Sequence, residues 1–447
     1  MTLLRFNLFV AFAFTVMADP VSSVAYAIES TLARLDGDLS ALLPTMGLVV
    51  ATIAVISATY HQLVRRFPGG GGGPEGLAAA FGEGFAFVAL GPLLVDFTLT
   101  VAISCAAGAS AIIAYLPDLA PYRLPLALWL AGVVAAGICL GHRGRLVFAT
   151  ATLAFLLGSL LVLAGGAERV VAGETSGDGA ASLAGASLVP IMLAMPLGMA
   201  LATGIESPSN AIAQLGQLSD RGRRLFGQVT IWLMVVIVGG LTLGIAALAV
   251  ELGVGLPPDD STLLAEVARG ALGEGAPFAA FQAVSALLLL AAGGSAYLAA
   301  SGLLRALAVH GGGGPNALVP GTLGVRNRFF VPYWGVLAVL AVTALLIALA
   351  GARDQTLVHF YAVSVFASFL GALVGCARLS ARERHRGALA VNIAGIVLVA
   401  FVLALNVARL DGLVALAASA LVSLYLWRAW VRRGRPTGVA ATGRAIG

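Results

Sequence analysis

The stretch Thr203-Gly204-Ile205-Glu206-Ser207-Pro208 sits in the middle of an apolar run that extends from about 186 to 215. An acid, a hydroxyl and a proline at that depth interrupt a helix, because Pro suits a first helical position and lacks the N–H that a helix interior needs. The same grammar occurs earlier, where Asp19-Pro20 divides the run 3–28 and Val21-Ser-Ser-Val-Ala-Tyr-Ala-Ile28 follows. Asp caps helix amino termini well, so a new half-helix is expected to begin at Asp19-Pro20. Interrupted backbone inside a bilayer is tolerable only where it lines a cavity or is re-satisfied locally. Two broken helices in corresponding positions of two halves point to an inverted-repeat membrane carrier with its site near the midplane.

The rest of the chain fits a membrane setting. Of 447 residues, 60% are hydrophobic and 11% charged, and the mean hydropathy is +0.98, far from the values of a soluble globular domain. At about 20 residues per crossing, apolar runs fall near 3–28, 40–64, 80–114, 124–141, 147–165, 186–215, 227–253, 277–305, 330–351, 356–377, 387–408 and 412–430. An all-α integral membrane protein of about twelve spans is therefore expected. It would form a single polytopic domain over 1–436 with a short cytoplasmic tail, 437–447. Repeat 1 would cover about 3–165 and repeat 2 about 186–377, with added helices over about 387–430.

Orientation rests on arginine, since none of the 26 basic residues is Lys. With a cytoplasmic amino terminus, the inside segments hold 20 of them, including Arg65, Arg66, Arg143, Arg145, Arg326, Arg328 and Arg444, and the outside segments keep Arg34, Arg123, Arg169, Arg269, Arg353 and Arg409. Fourteen of the 21 acids fall outside. The positive-inside rule thus places both termini in the cytoplasm, with the inner membrane as the expected location. The same bias explains the net charge of +5, so no nucleic-acid partner follows from it. Arg5, an apolar run and Val16-Met17-Ala18 imitate a signal peptide, but the apolar segment continues to Ile28 and reads better as an interrupted spanning helix.

Away from their ends, the apolar runs contain only three carboxylates, Asp19, Asp96 and Glu206, and none of those runs carries a mid-run Arg. An ionisable group at that depth costs about 2.5–3.5 kcal/mol even on the gentlest scale, which makes each acid a functional candidate. Asp96, Thr100 and Ser104 recur at helical spacing and share one stripe. Carboxylate and hydroxyl oxygens suit a hard cation shedding its water and offer nothing to a soft metal. Taken singly, Asp19 also reads as a cap, Glu206 as a structural partner for a buried polar group, Thr100 and Ser104 as helix-packing residues, and Tyr26 and Tyr361 as core aromatics.

Other features carry less. The glycines 69–73 are followed by no Gly-Lys-Ser/Thr and read as a flexible cytoplasmic turn rather than a phosphate loop. His61, His142, His310 and His385 fall in expected cytoplasmic loops without metal-ligand spacing and read as solvated, and Cys105, Cys139 and Cys376 sit in apolar segments. Trp427 and Trp430, beside Arg428 and Arg432, read as an interfacial anchor.

Five stretches in order resemble the amino acid-polyamine-organocation superfamily with its LeuT-type fold, and within it the KimA-like branch of the KUP potassium-proton symporters. They are Asp19-Pro-Val-Ser-Ser-Val-Ala-Tyr26-Ala-Ile-Glu29, Phe67-Pro with Gly69 to Gly73, Leu94-Val-Asp96-Phe-Thr-Leu-Thr100-Val-Ala-Ile-Ser104, Thr203-Gly-Ile-Glu206-Ser-Pro-Ser-Asn210 and Phe360-Tyr361-Ala-Val-Ser-Val-Phe366. The resemblance covers about 17–380 and implies a five-plus-five inverted repeat with helices 1 and 6 broken. It also implies that Asp19, Tyr26, Asp96, Thr100, Ser104, Thr203, Glu206 and Tyr361 surround a potassium pathway. Pro20, Pro208 and His359 depart from the family's usual pattern, as does the loop Val309–Arg328 with its Gly311–Gly314 run. The chain is expected to lack the cytosolic nucleotide-sensing domain of KimA-type proteins, so regulation by a cyclic dinucleotide is not carried over.

The expected function is proton-coupled secondary transport of a monovalent cation, potassium first, with a permease for an amino acid or a cationic amine as the rival. Potassium and the proton are transported species, and no cofactor is expected. Burial and neighbouring acids favour a neutral carboxyl, which suits Glu206 to carry the coupled proton, with Asp19 next. The expected partners are the lipid bilayer and a small cation, with a homodimer as a compatible assembly. Enzymatic hydrolysis finds no nucleophile-base pair.

Overall fold

A computed structural model describes residues 3–141, 144–173, 187–310, 317–440 and 442. His142, Arg143, Arg444 and the Gly311–Gly314 run lie outside the described residues. Among those described, the regular elements are all helical.

The first crossing is assembled from α1 (Leu3–Val16), α2 (Ala18–Ser22) and α3 (Val24–Arg34), and the second is α4 (Leu39–Arg66). A short helix, α5 (Gly72–Phe81), leads into the third crossing, α6 (Phe87–Ile113), followed by α7 (Arg123–Cys139) and α8 (Gly144–Val171). The sixth crossing is split between α9 (Leu188–Gly198) and α10 (Ser207–Ala211). Then come α11 (Asp220–Glu251), the short α12 (Leu263–Leu272), α13 (Ala276–Val309), α14 (Tyr333–Leu349), α15 (Asp354–Arg382), α16 (Arg386–Val407) and α17 (Leu410–Arg432). Each of the twelve expected runs falls on one helix or one interrupted helix of this series. Among the described residues, ten helices are individually long and apolar enough to cross a membrane, while Arg5–Val16 and Tyr333–Leu349 are shorter apolar helices.

Length and burial divide the helices by role. α6 is almost wholly enclosed, because apolar residues cover most of its surface and its one polar stripe, Asp96, Thr100 and Ser104, also faces the interior. It packs along α13 and α15, and α4 lies along α11. α16 and α17 turn Ile393, Val397, Leu413 and Leu421 outward, where lipid can cover them. Hydroxyls in the bundle are mostly satisfied within their own helices: Thr31 donates to Ala27 O at 2.8 Å, Thr45 to Ala41 O at 2.7 Å and Ser285 to Phe281 O at 2.8 Å. Such back-bonding removes the cost of an unpaired polar group in hydrocarbon.

At the arginine-rich end, Arg66 of α4 reaches Glu383 at 2.7 Å and Ser380 at 3.0 Å, and Asn392 of α16 donates to Gln62 at 3.0 Å. The hydrogen bonds from Arg66 hold the Glu383 carboxyl below its ordinary range. The Arg66 guanidinium ties α4 to α15, and Asn392 joins α16 to both through Gln62 and Ser380.

Four sequence expectations change. The glycines near 70 are not a flexible turn: Gly70, Gly71, Gly72 and Gly73 are buried, and a Cβ on Gly72 would stand 2.5 Å from Asn210 Oδ1 and 2.8 Å from Ser209 Oγ. They are glycines because the broken sixth crossing packs directly on their backbone. His61 belongs to α4, where its Nδ1 accepts from Trp232 Nε1 at 3.1 Å, so it is neither in a loop nor fully solvated. His310 ends α13 half-buried, and burial pushes its imidazole down. Trp430 is turned inward, donating to Pro436 O at 2.9 Å and tilting against Phe87, which leaves Trp427 as the exposed ring.

The contact between α6 and α17 is backbone-close at Gly91, where a Cβ would lie 2.1 Å from Ser423 Oγ and 2.6 Å from Ser423 N. Gly91→Ala should cost about 1–3 kcal/mol through overpacking. Thermal unfolding of the purified protein in detergent measures this, and an unchanged midpoint would contradict the packing described.

Candidate cation-binding site

The sixth crossing unwinds because its sequence cannot hold a continuous helix. After Gly198 one tight turn over Met199–Ala202 leads to Thr203 in an extended conformation and to Gly204 at φ +72°. Glu206 then occupies the cap position of α10, with Pro208 in its first turn. A glycine is required at 204 twice over, for its left-handed backbone and for space, since a Cβ would lie 2.7 Å from Pro20 Cδ and 2.8 Å from Asp19 Oδ2. The bare backbone of the sixth crossing thus approaches the first crossing at its acid.

The first crossing is interrupted more gently than its sequence suggests. Asp19 is the second residue of α2 and does not begin or cap a half-helix; the irregular positions are Met17 and Ser23. Helical bonds bridge the first of them, with Met17 N donating to Ala13 O at 2.9 Å and Val21 N to Met17 O at 3.0 Å. Pro20 falls in the first turn of α2, where its missing N–H costs little, and no break at Asp19 is needed. Ser23 Oγ lies 2.6 Å from Pro20 O and 3.3 Å from Leu201 O, which pins the two crossings together.

Around this junction the structure gathers most of the expected residues. Asp19, Asp96 and Glu206 are close enough to feel one another's charge, and all three are buried. Tyr361 of α15 faces all three acids and Tyr26, and its hydroxyl points at Asp96 without reaching hydrogen-bond geometry. The Tyr26 hydroxyl lies 3.5 Å from Thr203 Oγ1, which itself donates to Ala200 O at 2.6 Å. Thr100 and Ser104 continue the α6 stripe below Asp96, with Ser104 against Gly293 of α13.

The polar inventory of this space is one-sided. Asp19 Oδ1, Asp96 Oδ1, both Glu206 oxygens, Thr100 Oγ1, Ser104 Oγ and the Tyr361 hydroxyl are buried without a hydrogen-bond partner. None of the ion pairs of the described residues includes Asp19, Asp96 or Glu206. Unpaired hydroxyls also occur at Ser57, Thr230 and Thr242, so the feature that distinguishes Thr100 and Ser104 is their shared stripe with an acid. Buried oxygens without donors are costly unless a cation or a proton completes them. The acids surround a space and do not converge on a point: among the described residues, no three His, Cys, Asp or Glu side chains can hold one metal ion together.

Two further residues join the site that sequence reasoning did not select. Tyr60 of α4 is fully buried and faces Glu206 and Asp96, while its ring meets Phe369 edge-on. Nothing local distinguishes it from an ordinary aromatic near a helix end. Asn210 leaves Oδ1 unpaired over Gly72, and its presence in the Glu206-Ser-Pro-Ser-Asn210 motif was the available signal.

A cavity of about 430 Å³ runs from Asp19 to the arginine-rich end, lined among others by Phe12 and Asn210 and, farther out, by Arg305 and Arg326. Buried acids at a helix break, reached from one side through a cavity, form the arrangement expected at the binding site of a membrane carrier.

The chain belongs to the amino acid permease family, whose family model matches residues 6–425, within the amino acid-polyamine-organocation superfamily. It is similar to the potassium transporter KimA of Bacillus subtilis (strain 168), with 27% identity over 384 residues, 83% of this chain and 61% of that protein's length. A crystal structure of a mutant manganese transporter from Eremococcus coleocola shares the fold, with a TM-score of 0.51 at 13% identity and coverage of 100% of this chain and 97% of that one. The chain is thus a multi-pass membrane protein of this family with a LeuT-type fold, and the relatives it matches are transporters, not enzymes.

Asp96→Asn keeps the shape of a buried neutral carboxyl and removes its charge. It should abolish uptake in proteoliposomes while leaving the unfolding midpoint unchanged or raised, and uptake at the parent rate would remove Asp96 from the site. Gly204→Ala should cost at least about 1–2 kcal/mol from its φ alone and should depress transport more than expression.

Proposed function

We propose that this chain is a proton-coupled secondary transporter that takes up potassium through the acidic space between the first, third, sixth and tenth crossings. The observation that carries this reading is the set of buried, unpartnered carboxyl and hydroxyl oxygens at the break, with no basic side chain paired to them. A dehydrated monovalent cation supplies what those oxygens lack: positive charge and several neutral ligands. Asp19, Asp96 and Glu206 attract the ion, while Tyr26, Thr100, Ser104, Thr203, Tyr361 and the unwound backbone replace its water.

Glu206 is the proposed proton carrier, with Asp19 next. Both Glu206 oxygens lack partners, and the residue begins the short α10 on the unwound segment, where a change of backbone conformation reaches it directly. A proton on Glu206 removes one negative charge from a space that holds three acids, so protonation and cation binding are linked through the same field. Alternation of access follows when one half of the bundle rocks against the other about the junction of Gly204 and Asp19. In this reading the arginine-rich end faces the cytoplasm of the inner membrane, both termini lie there, and the cavity in the structure is the inward path. The similarity to KimA supports potassium as the ion.

The name of the matching family keeps a second substrate class in play, an amino acid or a cationic amine. A zwitterion requires its carboxylate to be held, and three acids oppose that, whereas an amine does not meet this obstacle.

Expression in a bacterial strain without its own potassium uptake systems should restore growth at limiting potassium, with no competition from alanine or leucine. Competition by those amino acids together with absence of rescue would transfer the site to the permease reading. Glu206→Gln should lose proton-driven accumulation and retain ion-for-ion exchange in the same vesicles. Full accumulation by this variant would pass the proton to Asp19.

A further inference from the structure

A second pair of acids, the buried Asp354 and the half-buried Glu29, lies at the end of the bundle opposite the cavity. Asp354 opens α15 and is only 6% exposed, and Glu29 lies on α3 close enough to feel its charge. Asp354 Oδ1 accepts from Ser110 Oγ of α6 at 2.9 Å, and Ser110 Oγ in turn accepts from Arg123 Nη1 of α7 at 2.7 Å. Gln355 Nε2 donates to Asp354 Oδ2 at 3.2 Å, and Glu29 Oε2 accepts the Leu263 N–H at the start of α12 at 2.8 Å. Arg123 also donates to the Asp259 carbonyl. The network joins α3, α6 and α7 of the first half to α12 and α15 of the second, so that end cannot open without breaking it.

Its charges do not balance. Arg123 is a cation that both acids feel, and none of the ion pairs of the described residues includes Glu29 or Asp354. On α12, Arg269 is committed to Glu266 at 2.5 Å and to the Ala114 carbonyl at 3.2 Å. From α3 the neighbouring titratable group is the Tyr26 hydroxyl, which also feels Asp354. Two ionised carboxylates facing one guanidinium leave an excess negative charge in a closed, poorly solvated space, and that excess disappears when the pair takes up one proton. In an open state, water solvates both carboxylates and the need for the proton disappears with it.

The pair is also connected to the cation site. Ser30 Oγ stands 2.5 Å from Gln355 Oε1 and 2.9 Å from the Tyr26 carbonyl. Movement of Gln355 with Asp354 is therefore transmitted to the half-helix that carries Tyr26.

We propose that Glu29 and Asp354 form a proton-binding gate at the end opposite the cavity, holding one shared proton when that end is closed and releasing it when that end opens. The gate binds a proton whatever substrate the central site carries, and its reagent is external acid. The proton crosses no covalent step: it joins one carboxylate oxygen on closing and returns to bulk water on opening.

A reporter cysteine at Ala114 tests this. Ala114 is buried beneath α12, whose Arg269 bonds its carbonyl, so a thiol there reacts with a membrane-impermeant maleimide only when the end opens. Native Cys105 and Cys376 are buried, and Cys139 closes the opposite end of α7. Labelling of the full chain in proteoliposomes, normalised to a free peptide thiol at each pH, should rise about tenfold per pH unit, the slope for one proton released on opening. Asp354→Asn and Glu29→Gln, each in the reporter background, should flatten that slope and keep the cysteine protected. A parent slope of zero, or an undiminished slope in both neutralised variants, overturns the proposal. If one variant does not fold, the other carries the same expectation, and labelling needs no transported ion, so this result and the potassium assignment fail separately.

Discussion

At Gly204 the unwound backbone of the sixth crossing passes so near the first that a side chain there would collide with Asp19 and Pro20. That approach sets the geometry of the whole centre. It brings Glu206 to within electrostatic reach of Asp19, and it places the extended Thr203 beneath Tyr26. A bilayer tolerates such an open stretch of backbone only where protein encloses it. The enclosure comes from α6 and α15, which present Asp96 and Tyr361 to the same space, and from the glycines of the 70–73 segment, which allow α10 to settle against bare backbone.

The distribution of satisfied and unsatisfied polar groups separates scaffold from site. Threonines and serines along the supporting helices return their hydroxyls to their own carbonyls one turn back. At the centre, oxygens of the carboxyls and the hydroxyls of Thr100, Ser104 and Tyr361 are left buried without hydrogen-bond partners. Helix packing alone gives no reason to bury such a set, because each unpaired oxygen costs stability. In the proposed function a transported cation supplies the partner that this set lacks within the protein.

The two ends of the bundle are built differently. Toward the arginine-rich end a cavity reaches Asp19, and α4, α15 and α16 are tied there through Arg66, Gln62 and Asn392. At the other end, side chains from both halves interlock through Asp354, Ser110, Arg123 and Glu29. An alternating carrier must break one end while the other holds. Here that end is joined by the hydrogen bonds of Asp354 and Glu29, the two acids of the proposed gate.

Several properties were fixed by the sequence alone because they depend on composition and spacing. The number and placement of apolar runs, the bias of arginine to one side, the break at Thr203–Pro208 and the three acids at membrane depth are legible without coordinates, since a bilayer penalises charge and open backbone wherever they occur. Other features arise only when distant segments meet. The buried role of the 70–73 glycines, the inward turn of Trp430, the entry of Tyr60 into the site and the helical continuity through Met17 had no local signature, because each is decided by what packs against it. Glu29 and Asp354 lie 325 residues apart and looked like two outward-facing acids among fourteen. Only the tertiary structure makes them neighbours, because their closeness comes from α3 and α15 meeting across the two halves and from nothing in either segment.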